Sequence, residues 1–398
     1  MSRRIYPLRD FLANESASGI VLGLAAATGL LVANSPLADQ YFAFLDYAFT
    51  IELPGILLEL TILKLINYAF MTLFFFVVGL EIKRELTSGH LANFRSALAP
   101  LLAAIGGMAM PAIIYLVMAG DIAPAGWAIP VATDIALAVG LMSLIGTQAG
   151  AGLRAFLLAL AVIDDIAAIL IIAIVYSAGV VFSWLTGAVL TIIATLILQR
   201  ARAKSPWFYL PVGVALWYSL YKAGLHPTLA GVIMGLLTPA SRSDAKGIAD
   251  GEDGEDGELT IAEVLEAKLH PYSSFLVIPI FAFANSGVEL SNATLSVALA
   301  SPIAWGIFLG LVIGKPLGIF GTSKLFAIRG AIRLPDNSSA RALIATGSTA
   351  GIGFTVAIFI AKLAFTDKAL QDIAVMAVIF GSLISALIAL IVFKTIKR

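Results

Sequence analysis

Apolar residues dominate the chain in stretches of about 20, separated by short polar segments. A helix needs about 20 mostly apolar residues to cross a bilayer, whereas the strands of a membrane barrel are shorter and alternate apolar with polar positions. The pattern therefore predicts an all-α polytopic membrane protein with about twelve transmembrane helices. The predicted spans are residues 13–33, 54–82, 96–118, 124–145, 153–176, 182–200, 206–221, 225–238, 264–287, 303–322, 341–363 and 371–393.

The distribution of basic residues supports this count, because cytoplasmic loops of membrane proteins are enriched in Lys and Arg. With both termini in the cytoplasm, 20 of the 25 Lys and Arg residues fall on the cytoplasmic side. Lys222, Lys362 and Lys368 fall outside, and Lys64 and Lys315 lie in or near spans. An error of one helix would invert every later segment and remove this bias. We therefore expect a multi-pass protein with both termini cytoplasmic.

The composition narrows the class of protein. Hydrophobic residues make up 60% of the chain and charged residues 13%, against roughly 45–50% and about 25% in soluble domains. A water-soluble enzyme is not expected, and 25 basic against 25 acidic residues leave no excess charge for binding nucleic acid. Since the chain has no Cys and three His, we expect no disulfide, no His-rich metal site and no cofactor.

The chain has no linker long enough to separate a second domain, so residues 1–398 are predicted to form a single integral membrane domain. Within it, residues 241–260 are rich in Asp, Glu and Gly and predict a solvated, flexible cytoplasmic loop. This acidic loop also suits a patch that attracts or senses cations. The basic start and the apolar run at 19–33 look like a signal peptide, but a retained first helix fits the charge distribution better.

Four charged residues fall near the middle of otherwise apolar predicted spans, namely Asp134, Asp164, Asp165 and Lys315. On insertion scales each such charge costs about 2.5–3.5 kcal/mol at the centre of a membrane helix. Charged groups at this depth face one another or a wet cavity, and they mark ion or proton pathways. The sequence therefore predicts a transport site rather than a purely structural bundle.

Asp164 and Asp165 are adjacent, so on a helix their side chains point about 100° apart and flank one corner of a cavity. Two close carboxylates in a low dielectric resist ionising together. A small hard cation removes this penalty because both carboxylates can share it. The pair is thus suited to hold protons or a cation in competition. The alternative is a structural ion pair with Lys315, although one lysine neutralises only one of the two acids. Lys315 itself could be either a mobile counter-charge or a fixed structural cation, and the sequence favours neither.

Two predicted spans are interrupted near their centres. In the fourth, Pro130 breaks the helix, and Thr133 and Asp134 offer oxygen atoms beside the break. In the eleventh, the weak centre contains Gly347, Gly351 and Gly353. Kinked but ordinary helices would also explain each break alone. Spans 3–5 and 10–12, however, run in opposite directions and so form inverted triplet repeats. Paired breaks in such repeats predict two discontinuous, crossed helices at a transport site. Asp134 would offset the positive ends of these half-helices and Lys315 the negative ends.

These motifs resemble the NhaA family of sodium/proton antiporters from about residue 10 to the C-terminus. The similar strings are VGLEIKREL (78–86), GWAIPVATDIA (126–136), AVIDD (161–165), GVIMG (231–235), FAFAN (281–285) and GIGFT (351–355).

The resemblance implies an electrogenic Na+(Li+)/H+ antiporter for sodium and pH homeostasis. The substrates would be Na+, Li+ and H+, and the protein would lie in the lipid bilayer of the bacterial inner membrane as a homodimer, assembled partly through the loop at 34–53. It implies that Asp164 and Asp165 bind the cation and protons, and that Asp164 pairs with Lys315 in the proton-loaded form. Thr133 and Asp134 would belong to the crossing of spans 4 and 11. The residues implied in the pH response are Glu81, Arg84, Glu85 and Glu266.

Two departures from the family pattern affect the expected pH response. The acidic run at 251–258 is not part of it, and Ala267 stands beside Glu266 where a titratable residue is expected. A sodium-coupled solute symporter on a similar scaffold is the main alternative function. An intramembrane aspartyl protease would need two Asp on separate helices, one of them in a Gly-x-Gly-Asp context, and the sequence has no such motif.

Overall fold

The computed structural model describes residues 15–53, 56–146, 150–177, 179–201, 203, 206–239, 260–335 and 339–396. Helical segments occur at each of the predicted spans within these residues. Apart from Thr260, the acidic loop predicted at 241–260 lies outside the described residues.

The elements are named in chain order. The first are α1 (Glu15–Ala33), α2 (Ala38–Leu45), β1 (Ala48–Leu53), β2 (Ile56–Thr61), α3 (Ile62–Thr87), α4 (Phe94–Ala119), a 3-10 helix (Pro124–Val131) and α5 (Ile135–Ile145). The next are α6 (Ala151–Val175), α7 (Phe182–Arg200), α8 (Pro206–Lys222), α9 (Leu229–Leu237), α10 (Ile261–Tyr272) and α11 (Ile278–Asn285). The last are α12 (Asn292–Ala300), α13 (Pro302–Ile328), α14 (Ala340–Ala350), α15 (Phe354–Ala364) and α16 (Lys368–Thr395).

Among the described residues, eight helices are long and apolar enough to cross a membrane, and the pair α14–α15, bent by 49°, makes up to nine. Large apolar side chains such as Val117, Ile174 and Phe182 are more than three-quarters exposed, as expected for contact with lipid. The protein is therefore a multi-pass membrane protein. The predicted number of twelve spans stays a prediction, since α8 has 17 residues and α9 has 9, and α10 carries several charges.

The start of the second predicted span is wrong. Residues placed in a helix from position 54 instead belong to a β-hairpin, in which β1 and β2 pair in antiparallel register from Ala48↔Thr61 to Leu53↔Ile56. Helix α3 begins only after Thr61, whose side chain accepts a hydrogen bond from the Lys64 amide and caps the helix. Hydropathy alone missed the hairpin because Ile56–Thr61 is as apolar as the helix that follows it. The protein is thus not purely α-helical.

The first half of the fourth span also differs from the prediction. Residues Pro124–Val131 form a 3-10 helix rather than an α-helix, with Pro130 inside it. Proline removes a backbone donor, and the tighter 3-10 winding suits a short segment that ends at a break. The regular helix α5 begins only at Ile135.

Two compact units make up the structure. One comprises Met1–Tyr47, Asn93–Ala168 and Pro279–Arg398. In it, α4 and α13 pack at backbone contact, because a side chain added at Gly318 would place its Cβ 2.0 Å from the Gly106 carbonyl oxygen. This unit contains the four charged residues predicted near the centres of spans. The single membrane domain over 1–398 stays a prediction.

The other unit comprises Ala48–Ala92 and Ile169–Ile278. Its helices α3 and α9 pack closely through Gly231, where an added Cβ would lie 2.1 Å from the Thr72 carbonyl oxygen. Contacts that short do not occur between real atoms, so a larger residue at this position must push the two helices apart.

Replacing Gly231 with alanine is therefore expected to destabilise the protein. Overpacking of a close contact costs about 1–3 kcal/mol, more than the helix propensity gained by removing glycine, so the melting temperature of the detergent-purified protein should fall by several degrees. Gly23→Ala is the matched control, since nothing lies within 4 Å of a Cβ added there. If the melting temperature stayed at the wild-type value in Gly231→Ala, as it should in Gly23→Ala, the two helices would be able to separate at little cost in free energy.

Candidate functional site

The candidate site forms where two helix interruptions meet. Residues 132–134 have no helical conformation between the 3-10 helix and α5, and residues 351–353 separate α14 from α15. The Asp134 amide donates to the Ile352 carbonyl at 2.7 Å, and the Thr133 hydroxyl lies 2.9 Å from the Ala350 carbonyl oxygen. Backbone groups released by one break are thus satisfied by the other, which is how a membrane protein tolerates unwound chain at depth.

Asp134 caps two helices at once. One carboxylate oxygen accepts from the Leu137 amide of α5 at 3.1 Å, and the other accepts from the Thr355 amide at 3.0 Å and from the Thr355 hydroxyl. The N-termini of α5 and α15 both carry partial positive charge. Asp134 is 2% exposed, so these helix ends rather than water surround its carboxyl group.

Asp164 forms the centre of the site. It lies in α6 and is fully buried, and its Oδ2 accepts from the Lys315 ammonium group. The Thr133 Oγ1 lies 2.7 Å from the same Oδ2 and 2.7 Å from Lys315 Nζ. A hydroxyl has one proton, so Thr133 accepts from Lys315 and donates to Asp164 or to the Ala350 carbonyl, one at a time.

The second oxygen of Asp164 is buried and has no hydrogen-bond partner among the described residues. Asp165, the next residue in α6, is 5% exposed. One buried carboxylate oxygen thus remains able to accept a proton or a cation while Lys315 is bound to the other.

Lys315 lies behind a distortion of α13. Residues Gly310–Gly314 form a π-turn, and Lys315 begins the regular helix that follows, with Pro316 in its first turn. The lysine is completely buried. A π-turn inserts an extra residue into the helix and is often found at functional sites. Here it precedes the residue whose side chain reaches Asp164.

The residues that the resemblance assigns to the pH response form a separate cluster in the second unit. Arg84 of α3 pairs with Glu266 of α10 at 2.6 Å and with Glu85 at 3.4 Å, and Glu81 lies half-buried one turn before Glu85. Glu266 is 9% exposed at its side chain, so its charge depends on Arg84.

Sequence reasoning missed two contributors. Thr355 was recognised only as part of a motif. Its position at the start of the half-helix after the break was the available signal, because a hydroxyl there can contact an acid in the opposite break.

Glu263 was not considered. The Thr260 amide donates to it at 2.7 Å and the Ser88 hydroxyl at 3.1 Å. These hydrogen bonds, that of the amide most of all, hold the pKa of the Glu263 carboxyl below its ordinary value. Glu263 therefore stays ionised beside Glu266.

Within the described residues, no group of three or more His, Cys, Asp or Glu side chains gathers as a metal site. The charged groups near the breaks instead form a small set. Asp134 lies at the breaks, Asp164 and Asp165 lie in α6, and the Thr133 hydroxyl contacts both Asp164 and Lys315. An ionisable site of this kind inside apolar helices defines a class of protein, the multi-pass membrane proteins built around an ion or proton pathway.

Comparison with known proteins identifies the family. A family model described as Na+/H+ antiporter 1 matches residues 9–393, and the chain belongs to this family. The chain is 43% identical over 385 residues to Na(+)/H(+) antiporter NhaA 2 of Erythrobacter litoralis, covering 96% of this chain and 92% of that protein. It is 42% identical to an NhaA antiporter of Yersinia pseudotuberculosis (96% and 94% covered) and 38% identical to NhaA 1 of Clostridium beijerinckii (98% and 96% covered). The resemblance seen in the sequence is confirmed, and these relatives are transporters rather than enzymes.

Proposed function

We propose that this protein is an electrogenic antiporter that exchanges Na+ or Li+ for H+ across the bacterial inner membrane and so serves sodium and pH homeostasis. The observation that carries the proposal is the environment of Asp164. One of its buried oxygens is held by Lys315 and Thr133 while the other has no partner among the described residues, and Asp165 lies beside it. Family membership supports Na+ and H+ as the substrates.

The exchange follows from competition for the same carboxylates. In the proton-loaded form Asp164 is neutralised by Lys315, as in the contact described above, and Asp165 carries a proton. A cation that binds both carboxylates takes the place of the Asp165 proton and of the Lys315 ammonium group on Asp164. The lysine, separated from its acid in a low dielectric, then gives up the second proton. Protons and Na+ therefore occupy the site alternately.

Counting charges gives the electrogenic step. With a protonated Asp165 and the Asp164–Lys315 ion pair, the three side chains carry no net charge. When Na+ binds two carboxylates and Lys315 has lost its proton, the site has a charge of about −1 including the cation, because two protons have left for one Na+. Each cycle then moves one net charge across the membrane. The site would open to one side of the membrane and then to the other as one helix bundle moves against the other. The inverted triplet repeats that the sequence predicts are typical of this kind of movement.

The test is Na+-driven proton flux in inside-out vesicles with no other solute present. An antiporter releases protons from the vesicle lumen when Na+ alone is added, and Li+ should act in the same way. The alternative, a sodium-coupled solute symporter, requires an organic solute before Na+ moves. Absence of proton movement at every pH between about 6 and 9, with transport appearing only after a solute is added, would favour the symporter.

We assign the pH response to Glu81, Arg84, Glu85 and Glu266, with Glu263 as a constant negative charge beside them. Glu266→Gln is expected to shift the pH profile of exchange to the alkaline side. The neutral amide resembles the protonated acid, so less negative charge remains to favour the cation. The measurement is exchange rate against pH in vesicles, with Glu59→Gln as control because Glu59 is exposed on β2. Coincident profiles for the two variants would remove Glu266 from the response.

The homodimer also stays a proposal. The segment at 34–53 that the resemblance assigns to the dimer contact includes β1, and the exposed side chains of Tyr47 and Ile51 lie on it. A mass measurement of the detergent-solubilised protein tests this assignment.

A further inference from the structure

The π-turn before Lys315 leaves one carbonyl group without its usual donors. In an α-helix the Leu311 carbonyl would accept from the amide of residue 315, and in a π-helix from that of residue 316. The Lys315 amide donates to Gly310, and Pro316 has no N–H. A backbone carbonyl at membrane depth requires another donor, because leaving it unpaired costs about 1–3 kcal/mol.

A buried hydroxyl stands near this carbonyl. Ser385 of α16 is fully buried, and its Oγ has no hydrogen-bond partner among the described residues. A Cβ added at Gly351 would lie 2.5 Å from the Leu311 oxygen and 2.9 Å from Ser385 Oγ. The two oxygen atoms are therefore at most about 5.4 Å apart, the sum of these distances. They are not bonded to each other, since Ser385 Oγ has no partner.

We propose that one water molecule binds here and bridges the Leu311 carbonyl to the Ser385 hydroxyl, beside Gly351 in the break between α14 and α15. Two hydrogen bonds of about 2.8 Å each span up to about 5.6 Å, so a single water reaches both atoms. Water fits the chemistry because it donates to the carbonyl and either donates to or accepts from the hydroxyl.

A bound cation fits these groups less well. It would coordinate both oxygens, but it would leave the Ser385 proton without an acceptor and would add positive charge in the helix that carries Lys315. The lining groups named here include no carboxylate to balance that charge. Residue 351 must be glycine here, because a Cβ would meet both oxygens at less than 3.0 Å and the Ser348 carbonyl oxygen at 3.1 Å.

The test is a density map of the full-length protein at about 2 Å, compared with maps of Ser385→Ala and Ser323→Ala. Ser323 is the matched control, since its hydroxyl is equally buried and also lacks a partner among the described residues. We expect a density peak within 3.2 Å of both the Leu311 oxygen and Ser385 Oγ in the wild type and in Ser323→Ala, and no peak at this position in Ser385→Ala.

Two results would overturn the proposal. One is a wild-type map that resolves other buried waters but shows no peak between these two atoms. The other is an anomalous peak at this position after thallium(I) is added, which would identify a cation instead. Both measurements use the wild type, so they remain decisive if Ser385→Ala does not fold, and neither depends on whether the protein exchanges Na+ for H+.

Discussion

Replacing Asp164 with asparagine is expected to abolish Na+/H+ exchange. The amide has the shape of the carboxyl but cannot release a proton and carries no charge to balance Na+. It also leaves the Lys315 ammonium group buried without its acid, and removing one member of a buried ion pair costs about 3–5 kcal/mol. The expected result is proton flux at the level of empty vesicles together with a lower melting temperature.

Asp165→Asn separates transport from stability. The ion pair between Asp164 and Lys315 stays intact in this variant, so the melting temperature should fall less than in Asp164→Asn while exchange is still lost. Asp121→Asn is the control, because Asp121 is exposed in the loop after α4. If Asp165→Asn exchanged Na+ at more than about a tenth of the wild-type rate, a single carboxylate would be enough, and the model of competition for a pair would be wrong.

The chain pattern predicted the charged residues of the site better than their arrangement. Asp134, Asp164 and Lys315 were identified because an uncompensated charge in an apolar span is costly wherever it stands. That argument depends only on composition and depth. It does not tell which acid contacts which partner. From composition and depth alone, Lys315 could form an ion pair with more than one of these acids. The structure pairs it with Asp164 and gives Asp134 to the two helix ends.

The structural features that the sequence did not predict all depend on local backbone geometry. The π-turn at 310–314, the 3-10 helix at 124–131 and the hairpin at 48–61 are all mostly apolar, so hydropathy does not distinguish them from an α-helix. Each is decided by a few hydrogen bonds and by Pro or Gly residues whose effect depends on neighbouring helices. Thr355 was missed for the same reason, because its role exists only where the two breaks meet.

Lys315 offers the sharpest test of the proposed charge movement. Lys315→Ala removes the counter-charge of Asp164. The buried carboxyl group then either stays ionised without a partner or holds a proton permanently. In this variant exchange should fall to background and the melting temperature should drop. Lys315→Arg keeps a positive charge able to pair with Asp164, and the guanidinium group does not lose its proton in proteins. We therefore expect Lys315→Arg to retain exchange that Lys315→Ala loses.

The arginine variant should differ from the wild type in the charge that each cycle carries. If Lys315 supplies the second proton, an arginine at this position leaves only the Asp165 proton to exchange for one Na+, and the cycle becomes electroneutral. Exchange by wild-type protein in liposomes should change with an imposed membrane potential, whereas exchange by Lys315→Arg should not. Equal voltage dependence in the two proteins would show that the second proton resides on a carboxyl group, and Lys315 would then be a fixed structural cation.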